Sequence, residues 1–227
     1  MSKLVSGSVA EFLGTFALTF FGAGAIIMAS TPGGGGNLVT VALAHGLVLF
    51  AFIAGCGYIS GGQFNPAVAL GLVVAGKQTP VQAAVYIVAQ LLGAACGAGM
   101  LQLLLTPEIA NSQAAKLGAT IGALTTTEGA TLRVIGMEAI MTFALMFVVL
   151  SAAVDERGGK LGALAIGVTV TGCILAGGYW TGASMNPARS FGPAICGSHW
   201  VMFHAYIIGP VVGASLAAVV YRVFWKR

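Results

Sequence analysis

Long apolar stretches alternate with short polar or glycine-rich segments along this chain of 227 residues. A helix that crosses a bilayer needs about 20 mostly apolar residues. Six stretches reach that length, at about 8–30, 39–59, 81–104, 131–153, 161–180 and 200–223. The pattern therefore predicts six membrane-spanning helices. Their connections are short, except for a polar loop rich in glycine and threonine at about 105–130.

Two shorter apolar segments, at 66–75 and 187–196, have about half the spanning length, and each begins at a proline. Proline favours the first turn of a helix, because its missing N–H would have no helical partner there. We therefore expect two half-helices that dip into the membrane. Non-helical backbone at that depth has to be buried in protein or to line a water-filled cavity.

The loops ahead of the two half-helices are rich in small residues and are expected to run extended, with a ladder of carbonyl groups facing a pore. The predicted carbonyls belong to Gly61, Gly62, Gln63, Phe64, Ala183, Ser184 and Met185. The alternative is that these glycines serve only close packing. Two matched loops are hard to explain by packing alone.

The two halves of the chain repeat one another. The segment EFLGTFAL, which begins at Glu11, matches EAIMTFAL, which begins at Glu138. Further matches follow in the same order, ALAHG with ALAIG, NPA with NPA and YIVAQLLGA with YIIGPVVGA. Each half holds three spans, an odd number, so the second half is expected to insert with inverted topology. The predicted fold class is an all-α membrane protein with six transmembrane helices and two re-entrant half-helices. It forms a single domain, with repeat one at about 1–105, a connecting loop at about 105–130 and repeat two at about 131–227.

Charged residues make up 7% of the chain, against about 25% in a soluble domain. The basic residues other than Arg189 are unevenly distributed between the two sides of the membrane. Lys3, Lys77, Arg157, Lys160, Arg222, Lys226 and Arg227 fall on the side of the N-terminus, and Lys116 and Arg133 fall on the other. This bias predicts that both termini are cytoplasmic. The expected location is a plasma (inner) membrane. The net charge of +4 thus reflects membrane orientation and not nucleic-acid binding.

Asn65 and Asn186 each precede a half-helix. Such an asparagine can cap its helix with its side-chain oxygen and keep its NH₂ donors free. Two such amides could both donate to one water oxygen, so that a hydrogen-bonded chain of water reverses direction there. The positive ends of the two helix dipoles point at the same place. Both effects oppose the passage of protons and cations while water moves through.

Arg189 is an always-charged side chain within an apolar segment, where charge is costly and marks function. In the internal alignment Arg189 pairs with Val68, and His45 pairs with Ile166. Both polar residues are expected on the outer side of the midplane, because the second span begins outside near residue 39 and the second half-helix enters from outside. A single selective ring is therefore expected in the outer half of the pore, formed by His45, Ile174, Ala183 and Arg189. The alternative, that Arg189 reaches the interface or pairs with an acid, is weak because no acidic residue is near in sequence.

These features together resemble the major intrinsic protein family, the aquaporins. The resemblance rests on two NPA motifs, Asn65, Pro66, Ala67 and Asn186, Pro187, Ala188, with Arg189 after the second. Opposed helix dipoles are an established element of cation exclusion in aquaporin pores. The resemblance implies that Glu11 and Glu138 brace the two loops, that the ring above is the family's aromatic/arginine filter, and that the chain forms a homotetramer in the lipid bilayer. A proton-coupling role for the glutamates is the alternative.

The ring resembles the wider filter of plant tonoplast aquaporins and their ammonia-permeable relatives. It does not resemble that of glycerol channels, which carry Asp where this chain has Ser190. A second departure is Gln63, since many members carry His there. No catalysis, metal or cofactor is expected. The functional hypotheses are a water-selective channel, a broader channel that also passes ammonia, hydrogen peroxide or another small neutral solute, and an ion- or proton-coupled transporter.

Overall fold

Every predicted membrane span corresponds to a helix in the computed structural model, which describes residues 2–225. Within them the α-helices are α1 (Lys3–Ser30), α2 (Leu38–Ser60), α3 (Pro66–Val74), α4 (Pro80–Leu104), α5 (Pro107–Ala110), α6 (Thr131–Val148), α7 (Gly162–Thr181), α8 (Pro187–Gly197) and α9 (Ala205–Val220). Six of these, α1, α2, α4, α6, α7 and α9, are long and apolar enough to cross a membrane, when α6 and α9 are counted with the π-helical turns that continue them to Val154 and Trp225. The all-helical membrane fold is therefore confirmed. Lys226 and Arg227, two of the basic residues used to predict orientation, lie outside the described residues.

The helix ends differ from the predicted bounds where local caps decide them. Helix α1 begins at Lys3 because the hydroxyl of Ser2 accepts a hydrogen bond from the backbone N–H of Val5. Helix α9 begins at Ala205, five residues later than predicted, after a turn in which Met202 has a positive φ. The end of α6 continues into a wider π-helical turn at Val149–Val154.

The helices cross at glycines that occupy corresponding positions in the two halves. On α4, a side chain at Gly93 would meet the backbone of Phe12 on α1. On α9, a side chain at Gly213 would meet the backbone of Ala139 on α6. Small residues allow this close approach of the backbones. Within lipid the hydrophobic effect does not hold helices together, so the van der Waals contacts made at these glycines stabilise the packing.

The half-helices α3 and α8 begin beside each other in the protein interior. Asn65 caps α3 by accepting from the N–H of Ala67 at 2.9 Å, and Asn186 caps α8 by accepting from the N–H of Ala188 at 3.0 Å. Both asparagines are almost fully buried. The fold thus brings two segments 121 positions apart in sequence to one point.

Candidate functional site

A cavity of about 420 Å³ runs along the two loops and past the half-helix ends. The predicted site residues in its wall are His45, Gly61, Gly62, Gln63, Asn65, Ile174, Ala183, Ser184, Met185, Asn186 and Arg189. His45 and Ser60 both belong to α2 and lie 15 residues apart, about 22 Å along a helix. We call the end that holds His45 and Arg189 the Arg189 side, and the end that holds Gln63 the Gln63 side.

The two NPA asparagines bind each other's loops. The side-chain Nδ2 of Asn65 donates to the carbonyl of Met185 at 2.8 Å, and Nδ2 of Asn186 donates to the carbonyl of Phe64 at 2.8 Å. Each NH₂ group has two hydrogens, so one donor of each amide is left for the cavity. One N–H of each asparagine thus joins the two loops, and the other N–H is left for the water to which both were expected to donate.

Phe64 is the one predicted carbonyl residue that does not line the cavity. Its side chain is fully buried, and a side chain added at Gly14 would collide with its ring. Its carbonyl oxygen accepts the hydrogen bond from Asn186. The expected pore-facing role thus does not suit Phe64, because its ring fills the space between α1 and the loop while its carbonyl faces the other loop.

The loops do not run extended as expected, because left-handed residues recur along both of them. In the first loop Gly61, Gly62 and Phe64 have φ values of 97°, 61° and 49°. In the second, Gly182, Ala183 and Met185 have φ values of 82°, 44° and 53°. Left-handed backbone is unfavourable for residues with a Cβ and needs support from its surroundings.

A buried glutamate holds each loop in this conformation. Glu11 accepts from the backbone N–H groups of Gln63 at 3.0 Å and Phe64 at 2.7 Å, and from the hydroxyl of Ser60 at 2.6 Å. Its fourth donor is the side-chain Nε2 of Gln90, at 2.7 Å. A buried carboxylate is costly unless it is hydrogen-bonded, and these donors satisfy it.

Glu138 repeats the arrangement at the second loop. It accepts from the backbone N–H groups of Ser184 at 3.1 Å and Met185 at 2.7 Å, and from the hydroxyl of Thr181 at 2.7 Å. The position that corresponds to Gln90 is occupied by Pro210, which has no donor. The second carboxylate therefore has one protein donor fewer than the first.

Arg189 is 2% exposed and is held by three groups. Its Nε donates to Nε2 of His45 at 3.2 Å, and its Nη1 donates to the carbonyl of Gly118 at 2.9 Å and to the hydroxyl of Thr120 at 3.3 Å. Its Nη2 is buried and has no partner among residues 2–225. The guanidinium is thus fixed in place at the cavity, and one of its NH₂ groups has no acceptor among the described residues.

Both ring nitrogens of His45 are already used. Nε2 accepts from Arg189, so the proton of the neutral ring lies on Nδ1, which donates to the carbonyl of Val41 at 2.8 Å. Neither ring nitrogen of His45 is therefore left to bond a passing solute. His45 instead orients Arg189 and contributes the edge of its ring to the cavity wall.

The remaining filter positions are apolar: Ile174 and Ala183 are buried in the wall of the same cavity. On the Gln63 side, the residues that correspond to Arg189 and His45 are Val68 and Ile166, and both line the cavity. Arg189 and Lys77 are the charged residues in the described cavity lining, and the residue that corresponds to Arg189 in the first half, Val68, carries no charge.

Sequence reasoning missed the residues of the long loop that hold Arg189. Gly118 and Thr120 belong to the segment expected to be a polar connection. The hydroxyl of Thr120 also bonds that of Ser190 at 2.8 Å, and Ser190 bonds Ser184. The only feature of the sequence that pointed to this loop was its abundance of threonine and glycine. That composition does not indicate which threonine or glycine contacts Arg189, about 70 positions away.

Comparisons with known proteins agree with this architecture. The profile of the family described as "Major intrinsic protein" matches residues 2–221. Aquaporin TIP4-4 of Zea mays is 41% identical, over 96% of this chain and 85% of that protein, and probable aquaporin TIP3-2 of Arabidopsis thaliana is 39% identical, over 96% and 83%. The X-ray structure of the aquaglyceroporin from Plasmodium falciparum superposes with a TM-score of 0.84 at 28% identity, covering 97% of this chain and 96% of that one.

The sequence-based resemblance to aquaporins is therefore confirmed over nearly the whole chain. The match concerns full-length relatives, so it covers both loops, both half-helices and all the spans described above. The family consists of non-enzymatic channels, which fits a cavity bounded by helix ends and backbone groups. The chain belongs to the major intrinsic protein family and is a membrane-embedded passive channel for water and small solutes.

Proposed function

We propose that this channel conducts water and excludes ions and protons at a ring formed by His45, Ile174, Ala183 and Arg189. The observation that carries the proposal is that Arg189 lines the cavity and that its buried Nη2 has no partner among residues 2–225. A fixed cation that offers donors attracts the lone pairs of a neutral solute and repels hydronium and metal ions. A neutral molecule with an oxygen or nitrogen lone pair gains a hydrogen bond where a cation meets repulsion.

The paired asparagines supply the second barrier. The free donors of Asn65 and Asn186 and the N-terminal ends of α3 and α8 all present positive charge to the same point of the cavity. A water molecule that accepts from both amides has its own hydrogens directed away from them. A chain of water molecules oriented in opposite directions on the two sides does not relay a proton through this point.

A broader solute range is the second candidate, and the chemistry of the ring favours it. Ile174 contributes an aliphatic side chain and Ala183 a methyl group, so two of the four ring positions carry no hydrogen-bonding side chain. Such a ring suits small solutes of mixed polarity, such as ammonia or hydrogen peroxide. Coupled ion transport is disfavoured, because Glu11 and Glu138 are committed to loop N–H groups.

The experiment is an osmotic jump on proteoliposomes that contain the purified chain, followed by stopped-flow light scattering. We expect fast shrinkage with a low activation energy, in contrast to empty liposomes of the same lipid. Parallel measurements of ammonia and hydrogen peroxide uptake separate the narrow channel from the broad one. A trace no faster than that of empty liposomes would contradict both forms of the channel proposal.

We further propose a homotetramer with a pore in each subunit and both termini in the cytoplasm. The description of the relatives as aquaporins supports the assembly, and the basic residues Lys3, Lys77 and Arg157 support the orientation.

The resemblance of the filter to that of tonoplast aquaporins, together with the TIP relatives, favours a tonoplast-type membrane over the plasma (inner) membrane expected from the sequence. Cross-linking in mild detergent and membrane fractionation test these statements.

A further inference from the structure

The side chain of Gln63 belongs neither to the ring around Arg189 nor to the hydrogen bonds that brace the loops. Its backbone N–H is bound by Glu11, which fixes the residue, and it is 8% exposed in the wall of the cavity. Its side-chain Oε1 is buried and has no hydrogen-bond partner among residues 2–225. An unsatisfied buried amide is costly, so such a group is expected to find a partner.

The corresponding residue of the second loop shows that this is not a general feature of the site. Ser184 occupies the position of Gln63, and its hydroxyl donates to the carbonyl of Asn186 at 2.9 Å and bonds Ser190 at 2.5 Å. The polar atom of Ser184 is thus consumed inside the protein. The cavity wall that α3 contributes on the Gln63 side is apolar, with Val68 and Leu72. Gln63 is therefore an unsatisfied amide beside the apolar side chains of α3. Gln78, just beyond the end of this half-helix, is a second cavity-lining amide without a partner among residues 2–225.

We propose that the side-chain amide of Gln63 binds the passing solute, as a second selective group on the opposite side of the asparagines from Arg189. The proposal rests on the channel function proposed above and deepens it. Arg189 and the two asparagines offer N–H donors to the solute. The amide of Gln63 can offer a carbonyl acceptor as well as donors, and rotation about its last bond exchanges the two.

This pairing of groups indicates the class of solute. A small neutral molecule that has both lone pairs and O–H or N–H groups finds donors for its lone pairs at Arg189 and an acceptor for its hydrogens at Gln63. A water molecule in a single-file chain keeps hydrogen bonds to the water molecules before and after it, so it depends less on groups of the cavity wall. A larger solute that fills the cross-section has no water beside it and depends more on the wall. Hydrogen peroxide, with two O–H groups, is the probe of this class.

The test compares wild type, Gln63→Met and Gln63→Asn in proteoliposomes with equal protein content. Met retains the length of the side chain and removes the amide, and Asn retains the amide on a shorter stem. Gln102→Met is the matched control, since Gln102 is exposed and lies outside the cavity lining. Water permeability and peroxide uptake are measured on the same preparations, and the ratio of peroxide to water permeability is the readout.

We expect Gln63→Met to lower the peroxide-to-water ratio by about threefold to tenfold, the effect of one lost hydrogen bond. Gln63→Asn should fall between Gln63→Met and wild type, and Gln102→Met should leave the ratio unchanged. An unchanged ratio in Gln63→Met overturns the proposal while the water channel stands. Equal losses of water and peroxide in both Gln63 variants indicate a structural role and also overturn it. A wild type without water permeability overturns the proposed function itself.

Discussion

The Nε atom of Arg189 donates to Nε2 of His45 at 3.2 Å, across 144 positions of sequence. This bond settles the tautomer of His45 and places the guanidinium with Nη2 unpartnered. The pair therefore behaves as one unit, in which the histidine orients and the arginine meets the solute. A protonated His45 would lose its acceptor and place a second cation beside the first.

Replacing His45 by alanine should loosen this unit. The Nε of Arg189 becomes a buried donor without a partner, a cost of about 1–3 kcal/mol, and the lost imidazole widens the ring. We expect a lower unfolding temperature in detergent and new uptake of glycerol into proteoliposomes. His204→Ala, at an exposed position, is the control. Continued exclusion of glycerol by His45→Ala would show that the ring does not limit solute size.

Replacing Arg189 by valine removes the fixed positive charge from the ring. We expect leakage of protons and of larger neutral solutes, while water still passes. Proton flux is followed with a pH-sensitive dye sealed inside proteoliposomes under a pH gradient. Arg133→Val removes a charge from an exposed residue and serves as the control. Unchanged selectivity in Arg189→Val would refute the filter role of this residue.

Replacing Thr120 by valine tests the support that the long loop gives to Arg189. The hydroxyl bonds both Nη1 of Arg189 and the hydroxyl of Ser190, whereas the carbonyl of Gly118 is retained as an acceptor. We expect the same kind of leakage as in Arg189→Val, but smaller. Thr126→Val is the control, since Thr126 is an exposed residue that bonds locally to Ala123. Wild-type selectivity in Thr120→Val would assign the support from the long loop to Gly118, beside that from His45.

Replacing either bracing glutamate by glutamine should damage its loop. The amide NH₂ of glutamine cannot accept from the N–H groups that now meet the carboxylate, and each lost bond to a charged group is worth about 1.5–3 kcal/mol. We expect Glu11→Gln and Glu138→Gln both to lower the unfolding temperature and to reduce water permeability. Glu128→Gln, at an exposed loop position, is the control. Wild-type stability in both variants would contradict the bracing role.

A pH dependence is expected at the connection between α6 and α7. Two hydrogen bonds from the Arg157 side chain, at 2.8 and 2.6 Å, lower the pKa of Asp155, and the hydroxyl of Tyr221 donates to the same carboxylate. A carboxylate whose pKa is lower in the folded than in the unfolded state stabilises the fold above its unfolded value of about 3.9. That contribution is lost as the pH falls through the lower folded value.

The measurement is the unfolding temperature of wild type and Asp155→Asn as a function of pH. We expect the variant to be slightly less stable at neutral pH, since exposed ion pairs contribute little. The difference should stay constant down to about pH 4 and shrink below it. Glu156→Gln is the neighbouring control. A difference that already disappears at neutral pH would contradict the lowered pKa of Asp155.

The sequence by itself determined the membrane fold and the identity of its charged groups. Helix formation and burial in the bilayer depend mainly on residues that are close together in sequence. Apolar runs of spanning length, prolines at the start of two half-length segments and an internal repeat were therefore enough to predict the membrane fold. Glu11, Glu138 and Arg189 were recognisable as functional or structural sites, because a charged side chain within a membrane is costly unless it is hydrogen-bonded or paired.

The tertiary structure alone decided how these groups share their hydrogen bonds. That Asn186 spends a donor on Phe64, that His45 is occupied by Arg189, and that Gln63 is left unpaired all depend on contacts between residues far apart in sequence. Hydrogen bonds are short-ranged and directional, so the partner of a polar atom is fixed by where the chain returns in space. A sequence pattern states which polar atoms need partners, and the packed helices determine which of them remain free to meet the solute.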